Sequence, residues 1–297
     1  MKIAITGANS SVGMNLLAQV DQQPDLQFIA GVRSESARNA LPSSAQISSC
    51  CIRYDDAAVL AQALAGADCV VHLAGILIEE KHSKYREANV DATRTVVDAA
   101  KQIGAKHIVF ISVVGADPTS SNAYFRSKGE AEALVAASGL SATVIRTPIL
   151  LGPGTAGASA LASAARNPKA KALGGGHYKM RPLDIDDLNA AIFNACKEQA
   201  AGCASYELVG PEAIAYCDLI KKTARKINPD STLEVGSIPI GFTKLMAGIT
   251  STLRGGGFTP TVIDVITQDE EVSHNGFAEL GVTLTSLDRT IEKILEK

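Results

Sequence analysis

Residues 2–13 read Lys2-Ile3-Ala4-Ile5-Thr6-Gly7-Ala8-Asn9-Ser10-Ser11-Val12-Gly13. Ile3, Ala4 and Ile5 form the short apolar run that a strand buried on both faces requires. Thr6 to Ser10 have turn chemistry, and Gly13 lies among Val12, Met14, Leu16 and Leu17, where helical periodicity begins. A strand, a small-residue turn and a helix N-terminus form a site for a dinucleotide pyrophosphate. The free N–H groups of the first turn and the positive end of the helix dipole both face the phosphates. Gly7 permits an unusual backbone angle, and Gly13 lets the helix approach the strand. Ser10 stands where the three-glycine fingerprint has its middle glycine. The expected contacts of the turn are Gly7, Asn9, Ser10, Ser11, Val12 and Gly13; an ordinary strand-to-helix turn is the alternative reading of this stretch alone.

Outward from this turn, strand-like and helix-like segments alternate. Strands are expected at 27–32, 45–52, 69–73, 107–111 and 142–146. Helices are expected at 56–65 with Asp56 as N-cap, at 83–103 closed by Gly104, and at 129–137 ending near Gly139. This alternation predicts an α/β fold, a Rossmann-type doubly wound parallel sheet covered on both faces. After Pro148 the texture changes. Gly152-Pro153-Gly154 is a breaker cluster, and residues 153–183 are small and loop-rich. Later elements are a helix at 186–197, a strand at 205–209, a helix at 216–227 and a last helix at 286–295. The expected organisation is a nucleotide-binding domain over 1–150 and a small C-terminal substrate lobe over 151–297, interleaved with the last sheet strands.

The chain has 297 residues, 46% hydrophobic and 20% charged, enough for a full core without metals or disulfides. Its net charge of −3 with no basic block argues against nucleic acid as a partner. The longest apolar stretch, Cys69 to Ile78, carries His72 and is half a membrane span, so no integral membrane segment is expected. No leader pattern precedes the first strand. Cys50, Cys51, Cys69, Cys196, Cys203 and Cys217 show no metal-ligand spacing and no C-x-x-C pair; they read as reduced thiols of a cytoplasmic protein, with no metal site.

Two further features carry chemistry. Tyr124-Phe125-Arg126-Ser127-Lys128 places a tyrosine and a lysine four apart, on one face of a helix start. An ammonium near a phenol favours the phenolate and lowers the tyrosine pKa, as a general acid/base requires, and the same lysine can bond the ribose of a nicotinamide nucleotide. An exposed lysine beside a half-buried tyrosine is the plain alternative. After the second strand comes Val32-Arg33-Ser34 rather than an acidic residue, so Arg33 favours the 2′-phosphate of NADP over the free ribose of NAD. A solvated loop arginine is the alternative.

These features, with His72-Leu73-Ala74-Gly75, Asn89-Val90-Asp91-Ala92-Thr93, Arg146 to Gly154, Arg181 to Leu188 and Tyr206 to Pro211, resemble the short-chain dehydrogenase/reductase superfamily over nearly the whole chain. The resemblance is to its extended, atypical members, related to the nucleotide-sugar epimerases and to the NAD(P)H-binding accessory subunit of respiratory complex I. It implies that Leu73, Ala74 and Gly75 pass the adenosine half of the cofactor, that Asn89 braces the central helix, and that Thr147, Pro148 and Ile149 pass the nicotinamide. It also implies that Tyr124 is the acid/base with Lys128 as partner. Asp184, Asp186 and Asp187 read as a solvated helix start.

The chain departs from the family at two points. Ser112 comes directly off the fifth strand, whereas Val113 or Val114 occupies the position nearest the usual catalytic serine. Arg53 stands where the family has an aspartate near the adenine. Two readings follow. One is an NADP-dependent, or NAD-dependent, oxidoreductase or epimerase-like enzyme on a small carbonyl or hydroxyl compound such as a nucleotide sugar, with Tyr124, Lys128 and Ser112 as its catalytic group. The other is a dinucleotide-binding redox sensor or assembly factor without turnover. Residues 236–257 carry Phe242, Leu245, Met246, Ile249 and Leu253 at helical spacing between glycines. They read as a packed helix, or as a mobile lid or docking segment whose apolar face covers the cleft or meets a protein partner.

Overall fold

The computed structural model describes residues 1–254 and 256–296, excluding the side chains of 252–254. Its strands are β1 (Lys2–Thr6), β2 (Gln27–Val32), β3 (Ile47–Cys51), β4 (Cys69–His72), β5 (His107–Val113), β6 (Ser141–Thr147), β7 (Leu150–Leu151), β8 (Lys171–Leu173), β9 (Lys179–Met180), β10 (Leu183–Asp184), β11 (Cys203–Glu207), β12 (Ile214–Ala215) and β13 (Gly236–Ile238). Its α-helices are α1 (Ser11–Leu17), α2 (Glu35–Asn39), α3 (Ala57–Ala63), α4 (Ala92–Gln102), α5 (Ala123–Ala136), α6 (Ala156–Arg166), α7 (Ile185–Glu198), α8 (Tyr216–Ile227), α9 (Ile240–Arg254), α10 (Pro260–Thr267) and α11 (Leu287–Leu295).

A seven-stranded parallel sheet runs in the order β11-β6-β5-β4-β1-β2-β3. This is the expected Rossmann-type doubly wound fold. Strand alternation sends Ile3 and Ile5 to one face, with Leu16, Val71, Val109, Leu188 and Ile192. It sends Ala4 to the other, with Leu60, Val70, Val96, Ile108, Phe110 and Ala131. Thr6 pairs with His72, so β1 and β4 end together where the strand order reverses, and a crevice opens there at their carboxyl ends. The later strands form small ladders, β7 with β10, β8 with β13 and β9 with β12, while β11 returns to the main sheet beside β6.

Several elements differ from the sequence expectation. The helix expected from 83 opens instead with a π-turn over Arg86–Asp91 ahead of α4. Within it the buried Asn89 amide bonds both backbone groups of Ile76, contacts that a regular helix start would not serve. β5 extends through Val113, so Ser112 lies within the strand rather than past its end. α5 begins at Ala123 rather than Gly129 because Asn122 caps it, accepting from Tyr124 N and Phe125 N. Part of the loop-rich stretch folds as α6, an alanine-rich helix capped by Thr155; alanine is the strongest helix former, and its density here outweighs the glycine and serines. α10 starts on Thr259-Pro260, an N-cap followed by proline in the first turn.

Asp184 and Asp187 are buried rather than solvated. Asp184 is 2% exposed, caps α7, and accepts from Lys293 Nζ at 2.7 Å and Thr290 Oγ1 at 2.8 Å. Asp187 accepts from Thr285 N at 2.8 Å and Thr285 Oγ1 at 2.7 Å, and Asp186 pairs with Lys293. The three carboxylates pin α11 and the strand of chain before it to α7. Asp184→Ala should cost about 2 kcal/mol, because it removes the α7 cap and the buried one of the two carboxylates that hold the Lys293 ammonium. A urea midpoint unchanged from the parent would overturn that role. The six cysteines are free, with Cys69 Sγ and Cys196 Sγ 3.5 Å apart between β4 and α7. Among the described residues no helix is long and apolar enough to cross a membrane, and no cluster of potential ligands could hold a metal.

Candidate functional site

The turn after β1 uses each of its small residues. Ser10 caps α1, its Oγ accepting from Gly13 N at 3.1 Å, so the serine in the middle-glycine position is the helix cap. Gly7 has φ +75°, and a Cβ there would lie 2.8 Å from Ala74 N; a Cβ on Gly13 would lie 2.4 Å from Ala8 O. Both residues must be glycine for β1, the 73–75 segment and α1 to meet this closely. A cleft of about 310 Å³ opens over them. Of the expected cofactor contacts, Gly7, Asn9, Ser10, Arg33, Leu73, Ala74 and Gly75 line it. Ser11, Val12 and Gly13 form the α1 start behind it, and Thr147, Pro148 and Ile149 lie at the end of β6, outside its lining. The glycine cradle, the capped helix start and the arginine at the rim fit a dinucleotide.

Under the cleft, fully buried His72 bridges Thr6 Oγ1 at 2.7 Å and Thr93 Oγ1 at 3.0 Å. Burial, then the nearby Lys128 charge, pushes its pKa down to about 3, so the ring is neutral. Thr93 donates its proton to Asn89 O at 2.6 Å. The network therefore assigns the ring proton to Nε2, donating to Thr93, and leaves Nδ1 to accept from Thr6. Tyr54 reaches Thr6 and the Gly7 backbone, and its phenol is pushed up to about 12, mainly by burial. This polar floor fixes the end of β1, where the glycine turn begins.

Tyr124 and Lys128 lie one turn apart on α5. Lys128 Nζ donates to Ile111 O at 2.9 Å and sits 4.4 Å from the centre of the Phe110 ring. Burial draws its pKa down to about 8. The expected lowering of the Tyr124 pKa is not found: burial raises it, and Tyr85 nearby raises it further. The ammonium is committed to a carbonyl and a ring face, so desolvation of the phenol decides the sign. Tyr124 packs against Tyr85 and Phe125, with ring centres 5.8 Å apart in each pair, and Val113 packs on this cluster. Ser112 is 1% exposed, and its hydroxyl has no partner among the described residues. Val113, and not Ser112, packs against the cluster that holds Tyr124. Asn89 Nδ2 donates to Ser127 Oγ at 2.9 Å and ties the π-turn to α5. Arg53 borders the open shelf beyond Arg33 and is paired with Asp55, its Nε donating at 3.0 Å.

The segment 236–257 contains α9, but its apolar face points to solvent rather than over the cleft: Phe242 is 64% and Leu245 62% exposed, and Met246 and Ile249 are exposed as well. The side chain of Leu253 lies outside the described residues. Helix α10 packs on the Tyr85–Tyr124–Phe125 cluster through Val265, with Asn122 Nδ2 donating to Thr261 O at 3.2 Å. Gly257 N donates to Glu79 O at 2.7 Å and ties the α9–α10 link to the loop beside the cleft. Sequence reasoning missed Tyr54, Tyr85 and Val265. Only Tyr54 carried a signal, since it follows β3 at the carboxyl edge of a parallel sheet, where ligands bind.

The NAD(P)H-binding family model matches residues 7–173. The chain is similar to the ceramide reductase of Caulobacter vibrioides, 26% identical over 160 residues, which is 54% of this chain and 50% of that protein. It is also similar to the uncharacterized sugar epimerase YhfK of Bacillus subtilis, 26% identical over 166 residues, 54% of this chain and 78% of that protein. The match thus spans half the length of the ceramide reductase. Among solved structures, MoeE5 in complex with UDP-glucuronic acid and NAD superposes with a TM-score of 0.74 at 19% identity, covering 100% of this chain and 98% of that one. At that identity the likeness shows a shared fold.

Proposed function

The chain belongs to the NAD(P)H-binding family, and from that premise we propose that it is a cytoplasmic, NADP-dependent oxidoreductase or epimerase-like enzyme acting on a small carbonyl or hydroxyl compound. One observation carries this reading. A Cβ on Gly75, in the wall of the dinucleotide cleft, would lie 3.9 Å from Lys128 Nζ, so the acid/base turn of α5 and the cleft share a wall. In this reading residues 1–150 bind the dinucleotide and residues 151–297 shape the substrate side.

The chain's own groups divide the work. Gly7, Asn9, Ser10 and the α1 start hold the pyrophosphate, Leu73 to Gly75 flank the adenosine half, and Lys128 bonds the ribose. Thr147 to Ile149 flank the nicotinamide, which when bound supplies or accepts the hydride. Tyr124, kept protonated by its burial, carries the proton that a carbonyl oxygen would take on reduction.

Arg33 lines the cleft beside Tyr54 and supports the choice of NADP. Arg33→Ala should weaken NADPH binding about 10- to 100-fold, the worth of a charge-assisted bond to phosphate, and leave NADH unchanged. Titration of cofactor fluorescence reads both constants, and equal affinities in the unmodified protein would sink the assignment. A second reading, a dinucleotide-binding redox sensor or assembly factor that meets a protein partner through residues 236–257, is favoured by Val113 at the serine position and by the outward apolar face of α9. Mass spectrometry of small molecules released from the purified protein, followed by NADPH oxidation with a carbonyl panel, separates the two. Bound NADP(H) with no oxidation by any carbonyl would leave only the second.

A further inference from the structure

We propose that Glu270 is a positioning residue: its carboxylate sets the Thr147–Ile149 wall for the nicotinamide and links that wall to the start of α5, which carries Tyr124. This rests on the placing of the nicotinamide given above. Glu270 is half-buried and follows the end of α10 by three residues. Its Oε2 accepts from Arg181 N at 2.6 Å, and the carboxylate also accepts from Ile149 N. An ionised carboxylate has two oxygens that accept, so it serves two N–H groups at once. Burial pushes its pKa up, while these two bonds and the Arg181 charge hold the rise back.

The wall is held from both ends. Thr147 O accepts from Val114 N at 3.0 Å, and Thr147 Oγ1 donates to Ser112 O at 3.3 Å, so its first residue is tied to the end of β5. Pro148 has no N–H to offer. Ile149 O accepts from Leu183 N at 3.0 Å. Ile149 N remains, and Glu270 takes it. The same carboxylate takes Arg181 N, so it joins the two chain crossings just ahead of the β7–β10 ladder. The Arg181 guanidinium is used elsewhere, donating to Gly210 O and Pro211 O at 3.2 Å each.

The segment that delivers Glu270 is also the one packed on the start of α5. Thr261 O, in the first turn of α10, accepts from Asn122 Nδ2, and Asn122 caps α5. Val265 packs on the Tyr85–Tyr124–Phe125 cluster. Past α10, Asp269 Oδ1 accepts from Lys179 N at 2.7 Å and Glu270 N donates to Lys179 O at 3.0 Å, which fixes the carboxylate's place along β9. Residues 261–270 therefore run from the Tyr124 cluster to the 147–149 wall. Proton donation and hydride transfer need a fixed mutual geometry, and this segment ties the two sides together.

The test is calorimetry on the full chain with NADPH and with 2′-phospho-ADP-ribose, the same molecule without its nicotinamide ring. NADH and ADP-ribose run in parallel, so the result does not depend on the 2′-phosphate. The parent should bind the intact dinucleotide at least about tenfold tighter than the truncated one. Glu270→Gln keeps the shape but loses one acceptor and turns an amide N–H toward a backbone N–H. It should bring the two constants within about twofold of each other by weakening the intact dinucleotide alone. Asp269→Asn alters the same segment at its bond to Lys179 N and should leave the ratio as in the parent. If the glutamine variant does not fold, Glu270→Asp, which keeps the charge and loses reach, is read in the same way. Equal weakening of both ligands would make Glu270 a purely structural residue, and an unchanged ratio would remove its link to the nicotinamide; either overturns the proposal. A parent that binds intact and truncated ligands equally also overturns it, while the dinucleotide site stands. A parent that binds neither removes the dinucleotide reading itself and the proposal with it.

Discussion

Tyr124→Phe should lower turnover of an identified substrate about 10²- to 10⁴-fold, the usual range for a positioned general acid, while NADPH affinity stays within about twofold. The ring keeps its packing against Tyr85 and Phe125, and only the hydroxyl is lost. Lys128→Met should damage both binding and turnover, and should also stabilise the fold. The lysine pKa falls from 10.5 to about 8 on folding. Below about pH 8 the ammonium is charged in both states, and its burial costs about 3 kcal/mol at about 1.4 kcal/mol per pKa unit. Above about pH 10.5 both states are neutral and the cost vanishes. The parent should therefore gain stability as pH rises through this window, and Lys128→Met should show the gain already at neutral pH with a flatter profile. A full-activity Tyr124→Phe variant, or a Lys128→Met variant less stable than the parent at pH 7, would remove the assigned roles.

A buried cation that costs stability is the kind of group expected at a binding site. The same holds for the Ser112 hydroxyl in a weaker form, since it is buried without a partner among the described residues. Strand spacing explains why sequence reading left the serine ambiguous. Successive residues of β5 face opposite sides, so a one-residue uncertainty in where the strand ends decides whether Ser112 or Val113 meets the cluster that holds Tyr124. The Tyr-x-x-x-Lys spacing was legible because helical geometry fixes it locally. The sign of the tyrosine shift was not, because it depends on Tyr85 and on the packing of α10, which come from distant parts of the chain. Asp184 and Asp187 read as solvated for the same reason: their partners, Thr285, Thr290 and Lys293, lie about a hundred residues away. The seven strands of the main sheet and the glycine turn after β1 were legible because their signals are contiguous apolar runs and glycines at fixed offsets.

Gly13→Ala should raise the NADPH dissociation constant more than about 100-fold and cost about 1–3 kcal/mol of stability. The added methyl would stand 2.4 Å from Ala8 O and 2.7 Å from Ala8 C, and both are backbone atoms that cannot rotate away. Relief requires α1 to retreat from the turn. That helix is held by Asn15 Nδ2 donating to Pro153 O at 2.7 Å and by its packing on α7, so the retreat also strains the far side. The first-turn N–H groups move with the helix. Losing two bonds to a charged pyrophosphate, each worth about 1.5–3 kcal/mol, is enough for the expected drop. Gly66→Ala is the matched control. Gly66 has φ +78° with nothing within 4 Å of an added Cβ, so it should lose about 1 kcal/mol from the left-handed backbone and bind NADPH as the parent does. If Gly13→Ala binds NADPH within threefold of the parent while Gly66→Ala behaves as stated, the α1 start does not hold the pyrophosphate.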